Sequence, residues 1–224
     1  MNRITHIYHS GFAIELAHSV LIFDWFSGEL PDFDPDKMIA VFVTHGHADH
    51  YSPRIWDLRK KYRKVLYVLD CCTAPEQKGE NILHVQPGRH YQQDKLMIFA
   101  IRSNDEGVAY VVSAEGYNFF HAGDLGVWNW YDAAESDNAY SRRIYQRQLE
   151  KISGWDIDVA MVPVDPRLGE SATLAVDDYM RIVGCRCLFP MHYWNRREEA
   201  LSYLDRDKLD PYREQICLSE EAVF

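Results

Sequence analysis

The chain has 224 residues, enough for one substantial core in a single domain or for two small ones. Hydrophobic residues at 47% and charged residues at 26% exclude a disordered chain or a fibre. A net charge of -10 disfavours broad binding to nucleic-acid phosphates or anionic membranes.

The opening Met1-Asn2-Arg3-Ile4-Thr5-His6 lacks the apolar core of a signal peptide. No apolar run approaches the roughly 20 residues needed to span a bilayer. Ile4 to Leu16 and Val20 to Trp25, separated by Ala17-His18-Ser19, suggest a hairpin. Met38 to Thr44 is almost wholly apolar and β-branched, as expected of a strand buried on both faces. Ser52-Pro53 predicts a helix start, with Ile55, Leu58 and Tyr62 on one face to about residue 63. Strands are predicted at Val65 to Leu69, Lys95 to Arg102 and Val108 to His121, the last broken by a turn at Glu115-Gly116. Asp137 to Ile152 is a predicted helix, with Tyr140, Ile144, Tyr145, Leu149 and Ile152 at helical spacing. Ile157 to Val164 is a buried strand, Thr173 to Val183 a helix and Cys185 to Pro190 a strand, with a last helix within Arg196 to Leu209.

The five cysteines, Cys71, Cys72, Cys185, Cys187 and Cys217, include no CxxC spacing and read as reduced thiols. Cys185 and Cys187 are expected as buried small hydrophobes rather than zinc ligands. A cytoplasmic protein is expected, and with no repeat or linker, residues 1–224 form one domain. Strands in the first half and helix–strand alternation in the second fit a layered sandwich with helices outside two sheets.

The chemistry begins where Met38 to Thr44 ends. His45, His47, Asp49 and His50 form H-x-H-x-D-H on a loop after a buried strand, where α/β folds gather ligands. Imidazole nitrogens with a carboxylate suit zinc, and also manganese or iron. If His45 and His47 face one way and Asp49 and His50 the other, one loop serves one or two ions, a pair lying roughly 3.5–4 Å apart.

These residues resemble the metallo-β-lactamase superfamily, in its branch of small metal-dependent hydrolases with ascorbate-phosphate lactonase-like and phospholipase-D-like members. His9-Ser10-Gly11-Phe12 with Ile14-Glu15 resembles that branch's opening hairpin, and Leu21 to Asp24 its second strand. Phe120-His121-Ala122-Gly123-Asp124 resembles the segment of the bridging aspartate, and Phe189 to Tyr193 the last histidine segment. The resemblance implies an α+β, four-layer αββα sandwich. It implies one metal position at His45 and His47, a second at Asp49, His50 and His192, and Asp124 between them.

One departure stands out. The family places a further histidine before a Gly-rich strand start, and here that stretch reads Ser103-Asn104-Asp105-Glu106-Gly107. Ser103 aligns with the missing ligand, and Asp105 is the better substitute because carboxylates bind zinc directly. The alternatives are a water-completed position, a single ion, or His84 or His90 from elsewhere.

Around this set, Asp24 is expected to orient the metal loop, and His9 and His121 to hold a ligand carboxylate or donate a proton. His6 and His18 are expected to be solvent-facing or half-buried. Trp128, Trp130 and Tyr131 are candidates for a pocket wall. Arg167, and more weakly Arg102, could bind an anionic substrate group.

The expected activity is hydrolysis of an ester, lactone or phosphodiester in a small molecule, with Asp49 orienting the attacking water. A β-lactam substrate is disfavoured by the missing signal peptide. RNA-processing nucleases of the fold are the alternative, opposed by the acidic balance. A di-iron oxidase is opposed by His47, where such family members carry a carboxylate. A non-catalytic metal-binding module is favoured only by the missing histidine.

Overall fold

The computed structural model describes residues 2–205 and 207–224. Its first sheet runs in chain order through β1 (Arg3–Tyr8), β2 (Gly11–Glu15), β3 (Ser19–Phe23), β4 (Met38–Val43), β5 (Val65–Asp70) and β6 (Ile82–Val85). The first three strands are antiparallel, and β3 to β6 are parallel. The second sheet places β7 (Arg89–Gln93), β8 (Leu96–Arg102), β9 (Val108–Ala114) and β10 (Tyr117–His121) antiparallel, then β11 (Val159–Pro163) and β12 (Cys187–Met191) parallel to β10. β13 (Glu221–Val223) returns to pair with β1.

Alternation along a strand explains the continuous apolar runs. Leu21, Phe23, Ala40 and Phe42 point between the sheets, where they share a core with Ile98, Tyr110, Val112 and Phe119. Val20, Ile22, Ile39, Val41 and Val43 point outward and are covered by Ile55, Leu58 and Tyr62. That cover is thin: a 3-10 turn at Pro53–Asp57 and the single-turn α1 (Leu58–Lys61). Outside the second sheet lie α2 (Glu135–Leu149) and α3 (Leu174–Ile182), which bury Tyr145, Leu149, Val176 and Tyr179. The result is an α+β sandwich of four layers.

Several local expectations are corrected. The run from Ile4 to Leu16 is two strands, because the chain reverses at His9-Ser10 with His9 at φ 55°. Tyr140 does not join the apolar face of α2; it is 59% exposed. β12 starts at Cys187, and both Cys185 and Cys187 are half-buried rather than buried. The last expected helix is α4 (Arg197–Leu204) with a separate 3-10 turn at Asp207–Tyr212; position 206 of that expectation lies outside the described residues. Strands β6, β7 and β13 are additions. Among the described residues, no helix is long and apolar enough to cross a membrane.

Both sheets have a parallel half, so β3, β4, β10, β11 and β12 send their carboxyl ends to one rim. Asp24, the loop from Thr44, Asp124, Asp165 and His192 all follow directly from those ends.

Candidate metal centre

The loop after β4 is fixed before any side chain is considered. His50 and Tyr51 donate their backbone N–H groups to His47 O at 3.0 and 2.8 Å, closing a tight turn. Val108 N–H donates to Thr44 O at 3.0 Å. Gly107 and Gly123, at φ 66° and 54°, press on the same residue: an added Cβ would lie 2.1 Å from Thr44 O and 2.8 Å from Thr44 Cβ, respectively. Only glycine fits at both points.

Among the described residues, three groups of ligand-capable atoms form, each within 4.8 Å; two meet around Asp124, namely His45, His47 and Asp124, and His9, Asp49, His50 and His192, while the third, Asp70, Cys71 and Cys72, lies at the end of β5. Asp124 reaches both of the first two. Its Oδ2 lies 3.4 Å from His45 Nε2, while its Oδ1 lies 3.0 Å from His50 Nε2 and 3.2 Å from His192 Nε2. His45 Nε2 and His47 Nδ1 are 3.0 Å apart.

The outward nitrogens explain which lone pairs remain. Thr44 Oγ1 donates to Asp24 Oδ2 at 2.7 Å, so it accepts from His45 Nδ1 at 3.1 Å. His50 Nδ1 gives its hydrogen to Asp24 Oδ2 at 2.7 Å, and His192 Nδ1 to Asp165 Oδ2 at 3.1 Å. His47 is turned over, with Nε2 2.8 Å from Glu106 Oε2. Each ring thus spends one nitrogen as a donor and presents the other as an acceptor. His50 Nε2 and Asp124 Oδ1 are buried, close, and without a hydrogen-bond partner. Two lone pairs facing each other call for a cation between them, so this donor set fits a divalent metal ion.

Charge points the same way. Asp24, Asp124 and Asp165 are buried, and burial alone would raise their pKa values. Yet His50 outweighs burial at Asp24, His50 and His192 do so at Asp124, and His192 and Arg167 at Asp165, holding each carboxyl low. Asp49 is held to about 2 against burial by His9 and His50. Burial disfavours the His50 cation, but in the metal-free chain Asp24 and Asp124 override it and raise the ring to about 10, so that without a metal ion a proton takes the Nε2 lone pair facing Asp124. His192 is raised likewise against burial by Asp124 and Asp165. Burial dominates at His45 and His121, which are lowered.

No protein-family model matches the chain. A UPF0173 metal-dependent hydrolase of Alkaliphilus metalliredigens is 25% identical over 211 residues, 85% of this chain and 85% of that one. Igni18, a metallo hydrolase from the archaeon Ignicoccus hospitalis, superposes with TM-score 0.64 at 17% identity over 100% of this chain and 99% of that chain. The metallo-β-lactamase fold protein YhfI from Bacillus subtilis gives 0.57 at 15% identity, over 90% and 92%. The chain has the metallo-β-lactamase fold and is similar in sequence to UPF0173 metal-dependent hydrolases.

The Ser103–Gly107 loop carries no histidine and is occupied in other ways. Ser103 is buried, its Oγ accepting from Asp105 N–H at 3.1 Å. Asn104 is consumed by Gly126 and Ser141. Asp105 lines the adjoining cavity, its pKa raised by burial and then by Asp124, but its carboxylate falls outside all three groups of ligand-capable atoms. Glu106 is the residue that reaches the centre, through His47.

That cavity of about 450 Å³ is lined by His47, Asp49, Asp105, Asp124 and His192, with Asn104, Ser141, Trp128, Trp130 and Arg167. Trp128 packs edge-on against His192 at 5.3 Å and donates Nε1–H to Asp124 O at 2.9 Å. Arg167 is anchored by Asp165, with its guanidinium carbon 5.4 Å from the centre of the Trp130 ring. Tyr131 is 93% exposed and is not part of the wall, and Arg102 is exposed at the end of β8 and outside the lining.

His121 is near the site but occupied: Nε2 lies 2.8 Å from Ser10 O, Nδ1 accepts from Gly123 N–H at 3.2 Å, and the ring stacks on Phe23. Neither nitrogen is left for substrate. His6 is buried rather than solvent-facing, held between Tyr193 Oη and His9 O at 2.7 and 2.9 Å. His18 is exposed beside Glu115. His84 bonds Gln77 O and His90 stacks on Phe99, and neither joins the centre.

Thr44, Asp165 and Glu106 were missed as partners of the ligand rings. Asp165 carried a legible signal: an acidic residue directly after a buried strand, capping the turn at Arg167.

Proposed function

We propose that this chain is a metal-dependent hydrolase acting on an ester, lactone or phosphodiester bond of a small molecule. The observation that carries this reading is the single carboxylate of Asp124, one oxygen directed at His45 and the other at His50 and His192. Such a shared ligand suits one or two divalent cations, held by His45, His47, Asp49, His50, Asp124 and His192, with zinc the best match to the nitrogen and oxygen donors and manganese or iron also suited. Bound there, the cation supplies Lewis acidity and a water acidified towards a pKa of about 7.

The protein's own groups divide the remaining work. Asp49 is ionised and one-quarter exposed towards the cavity, so it can orient the attacking water and accept its proton. Trp128 and Trp130, stacked within 9° of parallel, form an apolar wall that excludes water beside the reacting bond. Arg167 offers a cationic handle at the cavity edge. The volume suits a small substrate.

The test is a panel of p-nitrophenyl esters, lactones and bis(p-nitrophenyl) phosphate, with zinc or manganese and with chelator. Metal-dependent turnover that disappears in both His47→Ala and Asp49→Ala supports the reading. Turnover that survives both substitutions at the wild-type rate rejects it.

A further inference from the structure

His9 breaks the pattern of the other four rings at the centre. The backbone N–H of Trp194 donates to its Nδ1 at 3.2 Å. A main-chain N–H cannot exchange roles, so Nδ1 carries the lone pair and the neutral ring bears its hydrogen on Nε2. That nitrogen is wholly buried, faces the centre and has no hydrogen-bond partner. Its nearest carboxylate is Asp49, with Oδ2 at 3.6 Å.

Proximity alone would count His9 as a fourth ligand beside Asp49, His50 and His192. The hydrogen argues otherwise, because a nitrogen bearing a proton has no lone pair to give a cation. Rotating the ring would forfeit the bond from Trp194 and disturb a tight stack, with ring centres 4.1 Å from Trp194 and 4.2 Å from His192. The backbone is pinned as well: His9 O accepts from His192 N–H at 3.0 Å and from the His6 ring at 2.9 Å, which holds the left-handed φ of 55°.

We infer that His9 is not a metal ligand but the fixed hydrogen-bond donor of the centre, its Nε2–H positioning the Asp49 carboxylate. Its importance for turnover rests on the hydrolase reading; its tautomer does not. One face of Asp49 is then held by protein, leaving the other for cation and water.

Long-range proton–nitrogen spectra of the zinc-loaded protein distinguish the two tautomers, with His9→Gln assigning the signal. The expected result is a His9 ring protonated at Nε2, beside His50 and His192 rings protonated at Nδ1. A His9 ring protonated at Nδ1 with zinc-bound Nε2 overturns the inference. Metal content gives a second readout. His9→Gln, which keeps an N–H at similar reach, and His9→Phe, which keeps a ring without one, should both hold the wild-type metal per chain. Turnover should fall ~10-fold or more in the Phe variant, in kcat rather than KM, and largely persist in the Gln variant. Loss of about one metal equivalent in either overturns the inference. If the wild type turns over no substrate, the hydrolase reading fails, while the spectra and metal content still decide the role of His9.

Discussion

Asp24 accepts the Nδ1 hydrogen of His50 at 2.7 Å while both side chains are wholly buried. The same carboxylate takes Thr44 N–H at 2.8 Å and Thr44 Oγ1–H at 2.7 Å, so one side chain orients His50 directly and His45 through Thr44. Asp24 does this from the left-handed region, at φ 43°, a conformation that costs on the order of 1–3 kcal/mol. A buried, strained carboxylate outside the cavity lining suits the task of aiming the ligand-capable rings.

Asp24→Asn keeps the shape but loses the charge and one acceptor. It should lower metal affinity ~10- to 100-fold, read by competition with a chromophoric chelator. An unchanged affinity would remove Asp24 from the centre.

The two groups of ligand-capable atoms around Asp124 should differ in their affinity for metal. His50 and His192 are backed by the buried carboxylates of Asp24 and Asp165, whereas His45 is backed by a hydroxyl and His47 by a glutamate that is 50% exposed. Graded chelation should therefore remove metal in two steps. His47→Ala should eliminate the weaker step alone, measured as metal per chain after dialysis.

Metal-free protein should show a distinct pH dependence. His50 is raised from 6.5 to about 10, so its contribution to stability is complete below about pH 6.5 and is lost as pH rises through 10. His6 and His9 are lowered to about 4 by burial, so their contribution is present above 6.5 and is lost as pH falls towards 4. Thermal unfolding against pH should give an optimum near neutrality. Metal loading should flatten its alkaline limb, because the His50 lone pair is then occupied at all those pH values.

Gly107→Ala would place a methyl 2.1 Å from Thr44 O at a positive φ. The backbone carrying His45 must shift, at a cost of roughly 1–3 kcal/mol, which corresponds to a Tm lower by about 2–12 °C for a chain of this size. Calorimetry and metal analysis of the same sample should show both losses. Gly88→Ala, also at positive φ but with nothing within 4 Å, should lower Tm without lowering metal content.

Much of this centre is legible in the chain because its strongest signals are local. The apolar run into Thr44, the four ligand candidates packed into six residues and the acidic residue at position 124 each sit within one strand–loop unit. What escaped was nonlocal or weak. His6 looks like a polar residue in an edge strand, and its burial depends in part on Tyr193, 187 positions away. Strand β7 is polar and mostly exposed, with no apolar period to reveal it. Glu106 lies in an acidic run where the missing histidine drew attention to Asp105, and only the turned-over His47 ring shows which carboxylate reaches in.

Asp124→Ala offers the most direct measurement, because among the described residues that carboxylate alone touches ligand-capable atoms of both groups. Elemental analysis of the wild type should find up to two divalent cations per chain, and the variant should lose affinity at both positions. A variant that retains wild-type metal content and affinity would contradict a centre organised around Asp124.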